Sequence, residues 1–175
     1  TVESDICDDD YIPASHLFRT YKQMPKVEQL ALEHCKGDIL DIGAGAGMHA
    51  LYLQQKGHNV KAIDVSEGAV EFMKSQGLNA ELQDFYEVND QYDTLLMMMN
   101  GIGIAGSLKN LEHTLLQAKK MLRENGQLLF DSTDIKYLYM DDDGSMWIDL
   151  NTEYHGNFNF RMHYEDQSTD WFEWL

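Results

Sequence analysis

Three glycines at alternate positions, Gly43, Gly45 and Gly47, follow directly on the short apolar run Ile39-Leu40-Asp41-Ile42, and an aspartate, Asp64, closes the next apolar run. Glycines let a backbone turn come close against a ligand, and a helix that starts behind them aims its free N–H groups the same way. A carboxylate about 20 residues on, at the tip of the second strand, can take both hydroxyls of a ribose. The pattern points to a nucleotide-type ligand held where a strand turns into a helix.

Spacing separates two ligand classes. The dinucleotide fingerprint places glycine at the first, third and sixth positions. Counted from Gly43, Gly45 fits the third place, but Met48 stands at the sixth and the last glycine, Gly47, comes one residue early. An acid, Asp41, also lies two places before Gly43. A carboxylate inside an otherwise apolar strand is costly to bury without a partner, so its expected use is to organise the turn or to contact ligand.

With Leu40-Asp41-Ile42-Gly43-Ala44-Gly45-Ala46-Gly47, the chain resembles the class I S-adenosylmethionine-dependent methyltransferases. Their first motif reads apolar, apolar, acid, apolar, Gly-x-Gly-x-Gly. Ala62-Ile63-Asp64-Val65-Ser66 is similar to the family's second motif and Gln83-Asp84-Phe85 to its third. Tyr92-Asp93-Thr94 through Asn100-Gly101 resembles the strand and turn that line the transfer pocket, and the segment from Leu122 to Leu129 the helix exit into the fifth strand. The resemblance covers residues 25–131.

It implies S-adenosylmethionine as cofactor, held by Asp41, Gly43, Ala44, Gly45, Asp64, Val65, Asp84, Phe85 and Asn100, with Asp64 on the ribose and the Asp84-Phe85 pair at the adenine. His49, behind the turn, can approach the amino-acid end of the cofactor or lie on the surface. His16, Arg19, Tyr21 and Gly101 are candidates for the substrate pocket. His16, Asp131, Asp134 and Tyr137 are conceivable bases, and the spacing chooses none of them.

The elements that must position these residues alternate in type. A helix is expected from Pro25, with Val27, Leu30, Ala31 and His34 on its apolar face until Lys36-Gly37. Strands are expected at 39–42, 60–65, 80–83, 94–99 and 128–131. Helices are expected at 48–56, 68–75 and 108–122, ended by Gly57, Gly77 and Gly126. Such alternation predicts a parallel α/β sheet with helices on both faces, and the resemblance implies that it is a doubly wound, mostly parallel Rossmann-like one. The Met97-Met98-Met99 triplet reads as core.

Residues 157–164 and 171–175 predict an antiparallel β-hairpin. The chain divides into an N-terminal arm and helix (1–36), a cofactor-binding core (37–131), and a loop and hairpin (132–175) on the substrate side, within one domain. A class I sheet has seven strands, and no helix separates Asp131 from the hairpin. Either the hairpin supplies the family's final pair in shortened form or, the preferred expectation, it is a substrate-side insertion and the family's C-terminal helix and strands are missing from this sequence. The arm and hairpin, with Tyr11, Phe18, Tyr21, Trp171, Phe172 and Trp174, are the candidate walls of the site, and the arm is a candidate lid.

Composition narrows the partners. A formal net charge of -17 repels nucleic-acid phosphates and anionic lipid, which leaves a small-molecule substrate, with amines favoured by steering. No apolar stretch reaches membrane-spanning length, and Cys7 and Cys35 form no metal or disulfide spacing, so a cytoplasmic protein is expected. Asp141-Asp142-Asp143-Gly144 fails the EF-hand spacing, because Tyr139 and Leu150 would fall at the first and twelfth positions. No metal is expected, and the sequence does not address oligomeric state. A methyltransferase leads; a cofactor-binding module without transferase activity, aminopropyl transfer on the same fold and an NAD-dependent dehydrogenase are the alternatives.

Overall fold

The computed structural model describes residues 1–6, 9–141, 143–148, 151 and 154–175. Cys7, Asp142 and Leu150, named above, lie outside them. In chain order the elements are β1 (Val2–Ser4), α1 (Lys26–His34), β2 (Asp38–Ile42), α2 (Met48–Gln55), β3 (Asn59–Asp64) and α3 (Glu67–Ser75). There follow β4 (Ala80–Leu82), β5 (Tyr92–Met97), α4 (Leu111–Met121), β6 (Leu122–Phe130), β7 (Phe158–Tyr164), β8 (Gln167–Ser168) and β9 (Phe172–Trp174).

Five parallel strands form one sheet in the order β4-β3-β2-β5-β6. Alternation along each strand sends side chains to two apolar layers. On one face Ile39, Val60, Ala62, Leu96 and Met98 pack with Leu32 of α1, Leu53 of α2 and Met73 of α3. On the other, Leu40, Ile42, Ile63, Leu95 and Met97 pack with Ala118 and Met121 of α4 and with Phe85. The result is the expected α/β sheet covered on both faces. The chain winds outward from β2 in opposite directions to β3 and to β5, so the carboxyl ends of β2 and β5 form the switch point at which such sheets bind ligands.

Three local expectations are corrected. Along α1, Val27 and Leu30 are 53% and 43% exposed, whereas Glu28 and Leu32 are buried; ion pairing of Glu28 fixes which side of the helix faces inward. Met97 and Met98 are core, but Met99 is 39% exposed and has φ 64°. Helix α4 ends at Met121, one residue from the expected end, but Gly126 is not its cap: it lies inside β6, with Asn125 taking the left-handed conformation at φ 62°. Tyr92 faces Leu122 while Thr94 faces Gln127, so residues 123–126 bulge from the ladder. Arg123 in that bulge reaches Asp38 at 2.7 Å and Asp93 at 2.8 Å, tying the amino ends of β2 and β5 to β6.

A second sheet is built on β7, with β1 antiparallel along one edge and β8 and β9 along the other. The start of the N-terminal arm, read as irregular, is thus strand β1. Its alternation is strict: Val2, Ser4, Phe158, Phe160 and Trp174 fall on one face, and Glu3, Arg161 and Glu173 on the other. This sheet docks on the main one through Trp174, whose ring lies where a Cβ on Gly103 would stand, 2.1 Å from Cε2 and Nε1. Asn100 Nδ2 also donates to the Leu175 carbonyl at 3.2 Å.

Candidate cofactor site

The glycine turn leaves the carboxyl end of β2 with Gly43, Gly45 and Gly47 at φ 64°, 55° and 72°, values at which an L side chain is strained. The three glycines have different surroundings. A Cβ on Gly43 or Gly45 would meet nothing within 4 Å, whereas one on Gly47 would come within 2.7 Å of Leu78 Cδ1 and Met73 Cγ. Gly47 serves helix packing; Gly43 and Gly45 leave an open cradle above bare backbone. The Ala44 N–H continues the ladder by donating to the Ile63 carbonyl at 3.0 Å.

Asp64, at the tip of β3, closes the far side of this cradle. Its Oδ2 accepts from the Gly45 N–H at 2.8 Å and its Oδ1 from the Ser66 N–H at 2.9 Å. The carboxylate therefore joins the turn to the start of α3, where the Ser66 hydroxyl caps the Ala69 N–H. Val65 beside it is 71% exposed. Asp84 caps the short helical turn Phe85–Glu87 through the Tyr86 N–H at 2.7 Å. Phe85 is 2% exposed, so its ring is a core side chain and only its backbone can face the groove.

Behind the turn lies a buried polar cluster. Asp41 is 1% exposed and its Oδ2 accepts from the Ala50 N–H at 3.1 Å, satisfying a free donor in the first turn of α2. Burial pushes its carboxyl up to about 6, against the pull of His49 and the Ala50 N–H. Its part is to organise the turn. His49 Nε2 lies 2.8 Å from Glu28 Oε2, and the other oxygen of Glu28 pairs with Arg19 Nη2. Burial raises the Glu28 pKa, but the hydrogen bonds from His49 and Arg19 outweigh it and hold the carboxyl below its usual range.

Arg19 also donates from Nη1 to the His16 carbonyl at 2.6 Å, and its Nε–H has no partner among the described residues. Arg19, a candidate for the substrate pocket, has its cation paired with Glu28 and pins the arm to α1 and α2. Tyr21, another candidate, also makes its contacts with the helices. It stacks on Tyr52 of α2 with centroids 4.2 Å apart and donates to Glu33 Oε1 at 2.6 Å. Phe18 packs edge-on against Phe72 of α3 at 5.3 Å, and the His16 side chain is exposed. Arg19, Glu28 and His49 thus anchor the arm that was expected to be a lid.

At the carboxyl end of β5, Met99 and Asn100 are both left-handed, at φ 64° and 60°. Two consecutive non-glycine residues in that region carry strain of the kind found at functional turns. Asn100 Oδ1 accepts from the Thr133 N–H at 2.9 Å, and the Gly101 N–H donates to Asp131 Oδ1 at 3.2 Å. Two cavities flank the segment after Asp131, which contributes Thr133 and Ile135 to both. One, of about 590 Å³, includes Asn100 and the apolar face of the second sheet. The other, of about 630 Å³, lies toward α4 and includes Leu111, Leu115, Lys136 and His155. The first touches the sheet's switch point at Asn100.

Among the conceivable bases, Asp131 is bonded to Gly101, Asp134 caps Lys136 N–H at 3.0 Å, and Tyr137 is 65% exposed at the rim of the first cavity. Glu28 escaped sequence reasoning altogether, because a lone glutamate early in a helix looks like a solvated one. The described residues contain no group of three or more metal-ligating side chains, and no helix among them is long and apolar enough to cross a membrane.

A five-stranded parallel α/β sheet with a glycine turn at its switch point and an acid at the tip of the next strand defines a Rossmann-like cofactor-binding protein. Residues 14–171 match the model of a methyltransferase domain family, and the chain belongs to that family. It is similar to the SAM-dependent methyltransferase from Bacteroides fragilis, whose crystal structure is a complex with S-adenosyl-L-homocysteine. The two share 44% identity with a TM-score of 0.91, covering 99% of this chain and 71% of that one.

A S-adenosylmethionine-dependent methyltransferase from Clostridium acetobutylicum, 17% identical with a TM-score of 0.57 over 92% of this chain and 76% of its own, shares the fold. YqeM of Bacillus subtilis, a candidate methyltransferase, is 29% identical over 119 residues, which is 63% of this chain and 48% of YqeM. The UPF0146 protein of Pyrococcus abyssi is 38% identical over 63 residues, 35% of this chain and 48% of its own. The chain spans about half the length of these curated relatives.

Proposed function

We propose that this protein is an S-adenosylmethionine-dependent methyltransferase acting on a small molecule. The observation that carries the reading is the open cradle over Gly43 and Gly45, closed by Asp64, in a chain 44% identical to a methyltransferase seen with S-adenosylhomocysteine. The residues fit the cofactor. Bare backbone at Gly43, Ala44 and Gly45 admits close approach, and Asp64 accepts hydroxyl hydrogens at the ribose. The exposed Val65 offers an apolar surface for the adenine, with Asp84 beside it.

When bound against Gly43, Gly45 and Asp64, the cofactor would supply an electrophilic methyl carbon on a sulfonium, for in-line transfer to a substrate nucleophile with the thioether as leaving group. The chain's own residues bind and orient. Asp41 and the Arg19–Glu28–His49 cluster hold the start of α2 and hence the turn, and the strained Met99–Asn100 corner brings the wall of the neighbouring cavity to the switch point. Positioning of this kind supplies a large part of the rate for a bimolecular displacement. The charge of -17 supports a small-molecule acceptor over a nucleic acid or an anionic membrane.

Isothermal titration with S-adenosylmethionine, S-adenosylhomocysteine and NAD tests the cofactor. Binding of the first two and not of NAD is expected, and the reverse pattern overturns the reading. Consumption of a methyl-labelled cofactor in pooled metabolites then separates a transferase from a binding module.

A further inference from the structure

Resting on the methyltransferase reading, we infer that the cavity beside Asn100 binds a cationic amine carrying an apolar or aromatic group, and that this amine is the methyl acceptor. The cavity, about 590 Å³, is of a size for a small organic ligand. Its floor is the apolar face of the second sheet. Phe160 sits 5.8 Å from Phe158 and 5.5 Å from Trp174, ring centroid to centroid, so three aromatic rings line one wall. The mouth carries two exposed carboxylates, Asp9 and Asp10.

No lysine, arginine or histidine lines this cavity among the described residues, in contrast to its neighbour across residues 132–138, which has Lys136 and His155. Strand alternation explains the sorting. Arg161, the nearby cation of β7, points to the opposite face, where it pairs with Glu3 at 2.7 Å and lies 4.7 Å from the Trp171 ring. Aromatic faces attract ammonium groups, and paired carboxylates add a long-range field that draws cations and repels anions. An acid or a phosphate ester would meet two like charges, and the cation nearest to them, Arg161, is paired with Glu3 and lies in the field of Asp9.

The chemistry closes on the amine side. After the ammonium loses a proton to solvent, the nitrogen lone pair forms the new N–C bond. The C–S bond of the cofactor breaks and its electron pair stays on sulfur, leaving a thioether.

Calorimetry with phenethylamine, phenethyl alcohol and phenylacetate, at low salt and with the chain as it stands, tests the assignment; S-adenosylhomocysteine is titrated separately. The amine is expected to bind at least tenfold more tightly than the alcohol, with phenylacetate weakest. That preference should fall toward parity in a D9N/D10N variant, and F160A should weaken the amine and the alcohol alike. Equal or tighter binding of the alcohol or acid, no binding of any of the three, or a preference that survives D9N/D10N overturns the inference. Amine binding without S-adenosylhomocysteine binding removes the methyltransferase reading and leaves the amine site standing. Cofactor binding without amine preference does the opposite.

Discussion

The Gly45 N–H donates to Asp64 Oδ2 at 2.8 Å, so one carboxylate holds both the second glycine of the turn and, through Ser66, the start of α3. Removing it should cost the cofactor a ribose partner and the turn its anchor. Asp64→Ala is expected to weaken S-adenosylmethionine binding by about 1.5–3 kcal/mol, the range for hydrogen bonds to a charged group. Asp64→Asn, which keeps an acceptor but loses the charge, should fall between. Calorimetry on both variants checks the order; equal affinities in wild type and Asp64→Ala would remove Asp64 from the site.

The three glycines should separate by measurement. Gly47→Ala faces both the left-handed φ and a collision with Leu78 and Met73, and is expected to destabilise the fold by about 2–4 kcal/mol. Gly45→Ala has the φ strain and open space, so a loss of about 1–2 kcal/mol is expected, together with a larger fall in cofactor affinity. Urea denaturation and cofactor titration on the two variants test the division. A Gly47→Ala protein no less stable than Gly45→Ala would refute it.

Strands β2 to β5 were readable from short, mostly apolar runs that alternate with α2 and α3, each ended by a glycine, Gly57 or Gly77, and the glycine turn carries its spacing in the chain itself. The hairpin expected at 157–164 and 171–175 corresponds to β7 with β9. Strand β1 is three residues long, too short to show a period, and is defined by its pairing with β7, where Glu3 meets Arg161 across the ladder. The inward face of α1 was misread for a related reason. Apolar spacing favoured Val27 and Leu30, while Arg19 and His49, distant in sequence, select Glu28. Asp41 was legible as a costly buried acid, but its partner, the Ala50 N–H, depends on where α2 begins.

Asp41 should leave a signature in the pH dependence of stability. Burial raises its carboxyl to about 6, above the unfolded value of about 3.9, so the folded state binds more protons between these values. The contribution is therefore fully present below about pH 4 and is lost as pH rises through about 6. Asp41→Asn retains an oxygen for the Ala50 N–H and has no charge to bury. Denaturation at about pH 7.5 should find it more stable than wild type by up to about 3 kcal/mol, with a smaller difference at about pH 5. A variant less stable at both values would mean that the ionised carboxylate is required in the fold.

Gly103 and Trp174 should be coupled. The Trp174 ring occupies the space of a Cβ on Gly103 and thereby seats the second sheet, with its aromatic wall, against the carboxyl end of β5. Gly103 does not adopt a positive φ, so Gly103→Ala acts by steric displacement alone. The methyl should lift the ring and destabilise the protein by about 1–3 kcal/mol, the usual cost of overpacking. Trp174→Ala should also destabilise, by loss of ring burial, but it vacates the space the methyl needs. In the double variant the Gly103 substitution should then cost almost nothing, giving a coupling energy of about 1 kcal/mol or more in a double-mutant cycle. Limited proteolysis supplies an independent reading: Gly103→Ala should expose residues 158–175 to cleavage while the five-stranded sheet remains protected. Strict additivity of the two substitutions would mean that the second sheet is held by other contacts, such as that of Asn100 with the Leu175 carbonyl.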